Sequence, residues 1–201
     1  MPSAPEVIRQ IVPPPQIEQC RRVLCVQPHP DDTDIGAGAT IARLARLGAE
    51  IFYLTVTDGR AGQHGRELAP DELASVRKRE QEAAARVLGV KELRWLGYPD
   101  CGDYSEHAVR QDVIRAIREL RPDLVMTVDP HLPYESHPDH LMCGRAAAGA
   151  VLLYNFLNIK TDPAVDGAFA PYELKGIAYY HTANPNSYVE VSQEEWDRKF
   201  E

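Results

Sequence analysis

A chain of 201 residues is long enough for one core of ordinary size, and no Pro/Gly/Ser-rich linker divides it. Hydrophobic residues make up 44% and charged residues 26%, close to globular averages, which argues against disordered and fibrous classes. The net charge of -8 implies no basic face for a nucleic-acid backbone, and no stretch approaches the roughly 18 apolar residues that span a bilayer. Cys20, Cys25, Cys101 and Cys143 form neither a C-x-x-C pair nor a disulfide framework and read as reduced thiols. Met1 to Gln19 carries Pro2, Pro5 and Pro13-Pro14-Pro15 without the apolar core of a signal peptide. The expectation is one domain over 1–201, with a Pro-rich segment over 1–20, in a soluble cytoplasmic protein.

In chain order, Val23-Leu24-Cys25-Val26 reads as a short buried strand. Gly36 to Leu47 follows as a helix whose small residues permit close packing. Glu50 to Thr57 is β-branched and aromatic, a second strand, with a long loop after it marked by Asp58-Gly59, Gly62 and Gly65. Pro70-Asp71 opens a helix through Leu88 that Gly89 stops. Lys91 to Leu96 is a third strand, and Gly97 to Asp103 a loop. Val109, Val113, Ile114, Ile117 and Leu120 give a clear helical period, ended by Arg121-Pro122-Asp123. Leu124 to Val128 is a fourth strand, and an Ala-rich helix runs from about Pro138 to Asn155. Residues 156 to 175 look irregular, Gly176 to Tyr180 and Tyr188 to Val191 could be further strands, and Gln193 to Phe200 reads as a helix. Such β-α alternation predicts a Rossmann-like α/β/α fold with a mainly parallel sheet and right-handed crossovers.

Two polar loops follow strands. The first, Gln27-Pro28-His29-Pro30-Asp31-Asp32-Thr33-Asp34, offers an imidazole and adjacent carboxylates that a hard or borderline divalent metal can use. The second, Tyr134-Glu135-Ser136-His137-Pro138-Asp139-His140, places two histidines at i and i+3 beside a helix start, on nearly the same side. If the first and fourth strands are neighbours, these loops face each other across the topological switch point. One ligand from the second loop then completes a His, Asp, His set with an open position, the pattern of a catalytic zinc site. An ion there lowers the pKa of water from about 16 towards about 7. A carboxylate left over is the natural general base, and an imidazole left over can stabilise an oxyanion or protonate a leaving group. Spacing leaves open which of Asp31 and Asp32 ligates.

Each loop taken alone reads equally well as a capped, solvated helix start, with Asp31, Asp32 or Asp34 on the free N–H groups of the first turn. Both at strand ends of one sheet make coincidence a poor explanation. Gly36-Ala37-Gly38 does not complete the dinucleotide fingerprint, and there is no Walker pattern or G-x-S-x-G elbow. Two other classes remain: a noncatalytic sugar- or nucleotide-binding Rossmann domain, and a phosphoesterase, for which two metals about 4 Å apart would be usual.

Pro28-His29-Pro30-Asp31-Asp32 paired with His137-Pro138-Asp139-His140 resembles the PIG-L/LmbE-like zinc-dependent N-deacetylases, which remove acetyl groups from N-acetylglucosamine units. Thr57-Asp58-Gly59, Leu73 to Glu80, Leu88-Gly89-Val90 and Leu96-Gly97-Tyr98-Pro99-Asp100 agree, so the likeness spans roughly residues 23 to 192. Ala178-Tyr179-Tyr180-His181-Thr182 and the two loops bring it nearest to the diacetylchitobiose deacetylase branch. The resemblance implies His29, Asp32 and His140 as zinc ligands, with Fe2+ or Co2+ as other metals such a site accepts. It implies Asp31 as base, His137 as electrostatic or acid partner, and Asp139 as a residue orienting a histidine. Arg77, Asp100 and Tyr134 would contact a small saccharide substrate, a solvated helix face being the plainer reading of Arg77 and simple packing that of Tyr134. A homo-oligomer, trimer or hexamer, would follow; the sequence departs from relatives of this type at its carboxyl end, where they continue beyond the point equivalent to Glu201 with a further histidine-bearing segment.

Overall fold

β1 (Arg22–Gln27) is the centre of the fold, because its Val23-Leu24-Cys25-Val26 run is buried on both faces as only an inner parallel strand can be. The computed structural model describes residues 13–62 and 67–201; Pro2, Pro5 and Gly65 fall outside them. β1 pairs in parallel with β2 (Glu50–Thr57) on one side and β4 (Leu124–Val128) on the other. β3 (Glu92–Tyr98) and β5 (Gly176–Tyr180) complete a five-stranded parallel sheet of order β3-β2-β1-β4-β5.

Alternate side chains of β1 feed two cores, as the pleat requires. Leu24 and Val26 join Val113, Ile114 and Ile117 of α3 (Glu106–Leu120) and Ala146, Ala147 and Ala150 of α4 (Pro138–Leu153). Val23 and Cys25 join Ile41 and Leu44 of α1 (Asp32–Arg46) and Leu88 of α2 (Pro70–Leu88). This is the three-layer α/β/α arrangement expected. Gly144 seats α4 against the end of β4: a Cβ there would lie 2.8 Å from the Val128 carbonyl oxygen. Gly89 ends α2 in the left-handed region at φ 80, its N–H returning to the Ala85 carbonyl.

Four details differ from expectation. α1 begins at Asp32, not Gly36, because the Asp32 side chain turns back onto the His29 N–H (2.8 Å) and leaves the backbone free to start its helix. β3 continues through Gly97 and Tyr98, carried past a register shift between Thr55 and Thr57. Within 156–175 lies a short α5 (Pro163–Ala168), started by Asp162, whose carboxylate accepts from the N–H groups of Ala164 and Val165. Tyr188 to Val191 is no strand: beside β5, Pro13–Pro15 and Asn184–Ser187 border a cavity of about 580 Å³, and proline has no N–H to offer a ladder. The last helix, α6 (Gln193–Arg198), carries a capping box on Ser192 and Glu195.

The sheet order reverses between β1 and β4, so the loops after these strands part at the carboxyl edge and leave a crevice. The loops after β2 and β3 open on the same edge.

Candidate active site

His29, Asp32 and His140 meet in that crevice. Asp32, 6% exposed in the first turn of α1, lies with Oδ2 3.2 Å from His29 Nδ1 and Oδ1 3.3 Å from His140 Nε2. One ligand atom from each of the three residues falls within 4.8 Å of the others. Their outer nitrogens are held by carboxylates: His29 Nε2 is 3.2 Å from Asp139 Oδ2, and His140 Nδ1 is 2.9 Å from Glu135 Oε2. A carboxylate behind each imidazole fixes its tautomer and raises its basicity, the usual support of a metal-binding histidine. Nitrogen and oxygen donors in this set suit zinc, iron or cobalt.

Asp139 is itself locked, accepting from Tyr104 Oη at 2.7 Å and from the Cys101 N–H at 2.9 Å. These two partners come from the loop after β3. Glu135 also accepts the His137 N–H at 2.8 Å, which ties the His137 backbone to the His140 ring. The roles of Glu135, Tyr104 and the Cys101 N–H could not be read in the sequence, because all three lie in irregular loops, where no periodicity signals a partner.

Asp31 stands at the N-cap of α1 but makes no capping hydrogen bond. Asp34 likewise turns aside, accepting from Tyr53 Oη and Gln81 Nε2, both at 2.9 Å. The helix-cap reading of these carboxylates is therefore replaced by one in which each faces a tertiary partner. Asp31 Oδ2 lies 2.5 Å from Arg77 Nη2, which also reaches the Pro30 carbonyl at 3.0 Å. Arg77 is thus part of the crevice wall and not a solvated helix face.

His137 starts α4, its Nδ1 accepting from the Asp139 N–H at 3.3 Å. The neutral ring then carries its proton on Nε2. His29, Asp31, Gly59, Gly62, Arg77, Asp100 and His137 line one open cavity of about 240 Å³. Asp100 Oδ2 accepts from the Ala61 N–H, while Oδ1, in a side chain 6% exposed, faces His29 Nε2 at 3.3 Å. Tyr134, at φ 68, is fully exposed and outside that lining.

Burial opposes charge throughout the cluster, and the partners decide the outcome. Burial works against the His29 imidazolium, yet Asp100, Asp139 and Asp32 raise its pKa well above the ordinary value. His140 is raised in the same way by Asp32 and Glu135. Asp32, between them, is held well below the usual carboxylate range. His137 is pushed down by burial and by its two imidazole neighbours. An ion entering the cluster must therefore displace protons from His29 and His140. Zinc affinity is expected to rise from pH 6 to pH 8 by roughly tenfold per pH unit for each proton displaced. Competition with a chelator at both pH values measures it, and a flat profile would remove these two imidazoles from the ligand set.

The family model for the GlcNAc-PI de-N-acetylase domain, PIG-L, matches residues 24–151, which include both loops. The chain belongs to the PIG-L family. Among relatives, a diacetylchitobiose deacetylase of Thermococcus kodakarensis is 37% identical over 172 residues, covering 86% of this chain and 64% of its own length. A 1D-myo-inositol 2-acetamido-2-deoxy-alpha-D-glucopyranoside deacetylase of Thermobispora bispora is 34% identical, over 83% of this chain and 60% of its own length. The solved N,N'-diacetylchitobiose deacetylase from Pyrococcus horikoshii superimposes with a TM-score of 0.87 at 37% identity, covering all of this PIG-L chain and 77% of that one. The chain thus spans less than two thirds of the length of these two relatives.

Proposed function

We propose that this PIG-L protein is a zinc-dependent deacetylase that hydrolyses the N-acetyl group of N-acetylglucosamine-containing saccharides of the diacetylchitobiose kind, releasing acetate and a free amino sugar. The observation that carries this reading is the convergence of His29, Asp32 and His140 beside a cavity lined by both Asp31 and His137. A divalent ion held by those three residues would supply Lewis acidity to the acetamide carbonyl and to the attacking water.

The chain's own groups then have distinct tasks. Asp31, steadied by Arg77, takes a proton from water as the oxygen attacks the carbonyl carbon. His137, with its proton on Nε2, donates to the oxyanion that develops as the carbonyl becomes tetrahedral. The C–N bond breaks, and the proton held by Asp31 passes to the departing amine. Asp100, which lines the cavity with Oδ1 beside His29 Nε2, is suited to accept a sugar hydroxyl. Arg77 offers a second polar contact, and Tyr134 an exposed aromatic edge outside the lining.

Acetate release from N,N'-diacetylchitobiose by the zinc-loaded chain tests the reading. Release at a rate proportional to bound zinc is expected; a zinc-loaded chain that releases none would reject this substrate class. Among the described residues no helix is long and apolar enough to cross a membrane. The four free thiols and the family resemblance favour a cytoplasmic homo-oligomer, trimer or hexamer, whose mass in solution can be weighed by sedimentation.

A further inference from the structure

A chain of buried polar side chains, outside the cavity lining, ties α2 to the first turn of α1. Gln81 is 1% exposed, in a helix stripe otherwise made of Leu73, Ala85 and Leu88, and Gln27 and Thr55 are fully buried. A glutamine placed there costs stability unless its amide is satisfied on both sides. Gln81 Nε2 donates to Asp34 Oδ2 (2.9 Å), and its Oε1 accepts from Gln27 Nε2 (2.8 Å). Gln27 Nε2 also donates to Thr55 Oγ1 (2.9 Å), while Gln27 Oε1 accepts the Thr33 N–H (3.1 Å). Tyr53 Oη donates to the other oxygen of Asp34 (2.9 Å). Both amide orientations are fixed, since turning either one sets donor against donor.

One turn earlier on the same helix, Arg77 grips Asp31 and the Pro30 carbonyl. α2 therefore holds the Pro30–Asp34 segment at two points: Arg77 at its start, and Gln81 at Asp34 and, through Gln27, at Thr33. Asp32 and Asp31, the candidate ligand and base, lie between the two grips.

We propose that Gln81 is a positioning residue of this site, fixing through Asp34 and Gln27 the pose in which the first turn of α1 presents Asp31 and Asp32. It acts on the site through other residues and touches no substrate. The inference rests on the deacetylase reading for its effect on rate, but not for its effect on metal binding.

The test is a double-mutant cycle of Gln81→Glu, Asp34→Asn and the two together, read by zinc affinity against a chelator, by kcat and KM for acetate release, and by thermal unfolding. Gln81→Glu alone sets two carboxylates against each other. Asp34→Asn alone either sets two amide nitrogens against each other or, with the new side chain turned about, gives its nitrogen to the Tyr53 oxygen and leaves the buried Tyr53 hydroxyl proton without its acceptor. In the double variant the amide introduced at position 34 donates to the carboxylate introduced at position 81, which still accepts from Gln27, so every partner is restored.

Each single change is expected to weaken zinc affinity or kcat about 10–100-fold, the range for losing a supporting partner of a metal site. KM should stay near the wild-type value, and the double variant should recover most of the loss. Losses that simply add, or a rescue confined to the unfolding temperature, would overturn the proposal. Should the single variants fail to fold, a double variant that folds but does not regain zinc affinity would overturn it equally. A wild-type chain that binds zinc but releases no acetate would count against the deacetylase reading alone, and the zinc-affinity cycle would still decide the role of Gln81.

Discussion

Asp31→Asn is expected to keep about one zinc ion per chain while cutting acetate release about 10²–10⁴-fold, the range for losing a positioned general base. The two effects separate because Asp31 stands beside the ligand set and not in it. His29, Asp32 and His140 form one cluster of donors and His29, Asp100, His137 and Asp139 another; the Asp31 carboxylate is in neither and faces Arg77 and the cavity. Asparagine keeps the size of the side chain and an oxygen for the Arg77 guanidinium, so the first turn of α1 loses little support. What it loses is the capacity to take a proton from water. Metal analysis and an acetate assay on the same sample check both halves. A variant within a few-fold of wild type in rate would show that another group serves as base.

Asp32→Ala should act differently, because it removes the metal together with the rate. Asp32 presents a carboxylate oxygen to each of two imidazoles and accepts the His29 N–H as well. Without it, His29 and His140 face each other with no anion between them, and any ion keeps two protein donors. Zinc affinity is expected to fall more than about 100-fold, beyond the loss typical of an outer supporting residue. Acetate release should fall in parallel and return only partly with excess zinc. A variant retaining wild-type zinc affinity would show that the ion, if it binds, binds elsewhere. Read side by side, Asp31→Asn and Asp32→Ala assign base and ligand to adjacent carboxylates that spacing in the sequence cannot tell apart.

The sheet was legible because its inner strands are short apolar runs, each followed by a helix with a periodic apolar stripe. Val23 to Val26 and the stripe from Val109 to Leu120 are clear cases, both fully or nearly fully buried. α5 was not legible: six residues without an apolar period give no signal, and what holds the helix is the Asp162 cap. Tyr188 to Val191 misled because β-branched and aromatic residues indicate an extended chain but not whether a ladder partner stands beside it. At the site, the two motifs could be read because each is contiguous. Their mutual approach followed from one topological rule, which the β1–β4 pairing bears out. Of the groups that steady them, Glu135 lies within the second motif, where spacing does not reveal its turn back onto His140, while Tyr104 and Gln81 come from separate elements and are joined to the motifs only by the fold. A buried glutamine in particular looks in sequence like any polar helix residue.

The position of β1 also bears on how the molecule is made. Val23 pairs with Ile51 on one side and with Leu124 on the other, and the second partner emerges from the ribosome long after the first. Until β4 arrives, a newly synthesised amino-terminal half carries an apolar strand with one edge unpaired, the kind of edge to which other unfinished chains add. Parallel pairing over so long a separation closes slowly, since the loop entropy is lost before the contact is gained. His29 and His140 become neighbours only at that late step. Metal uptake should therefore mark the end of folding and not seed it, and dilute, chaperone-assisted conditions should favour its recovery from denaturant.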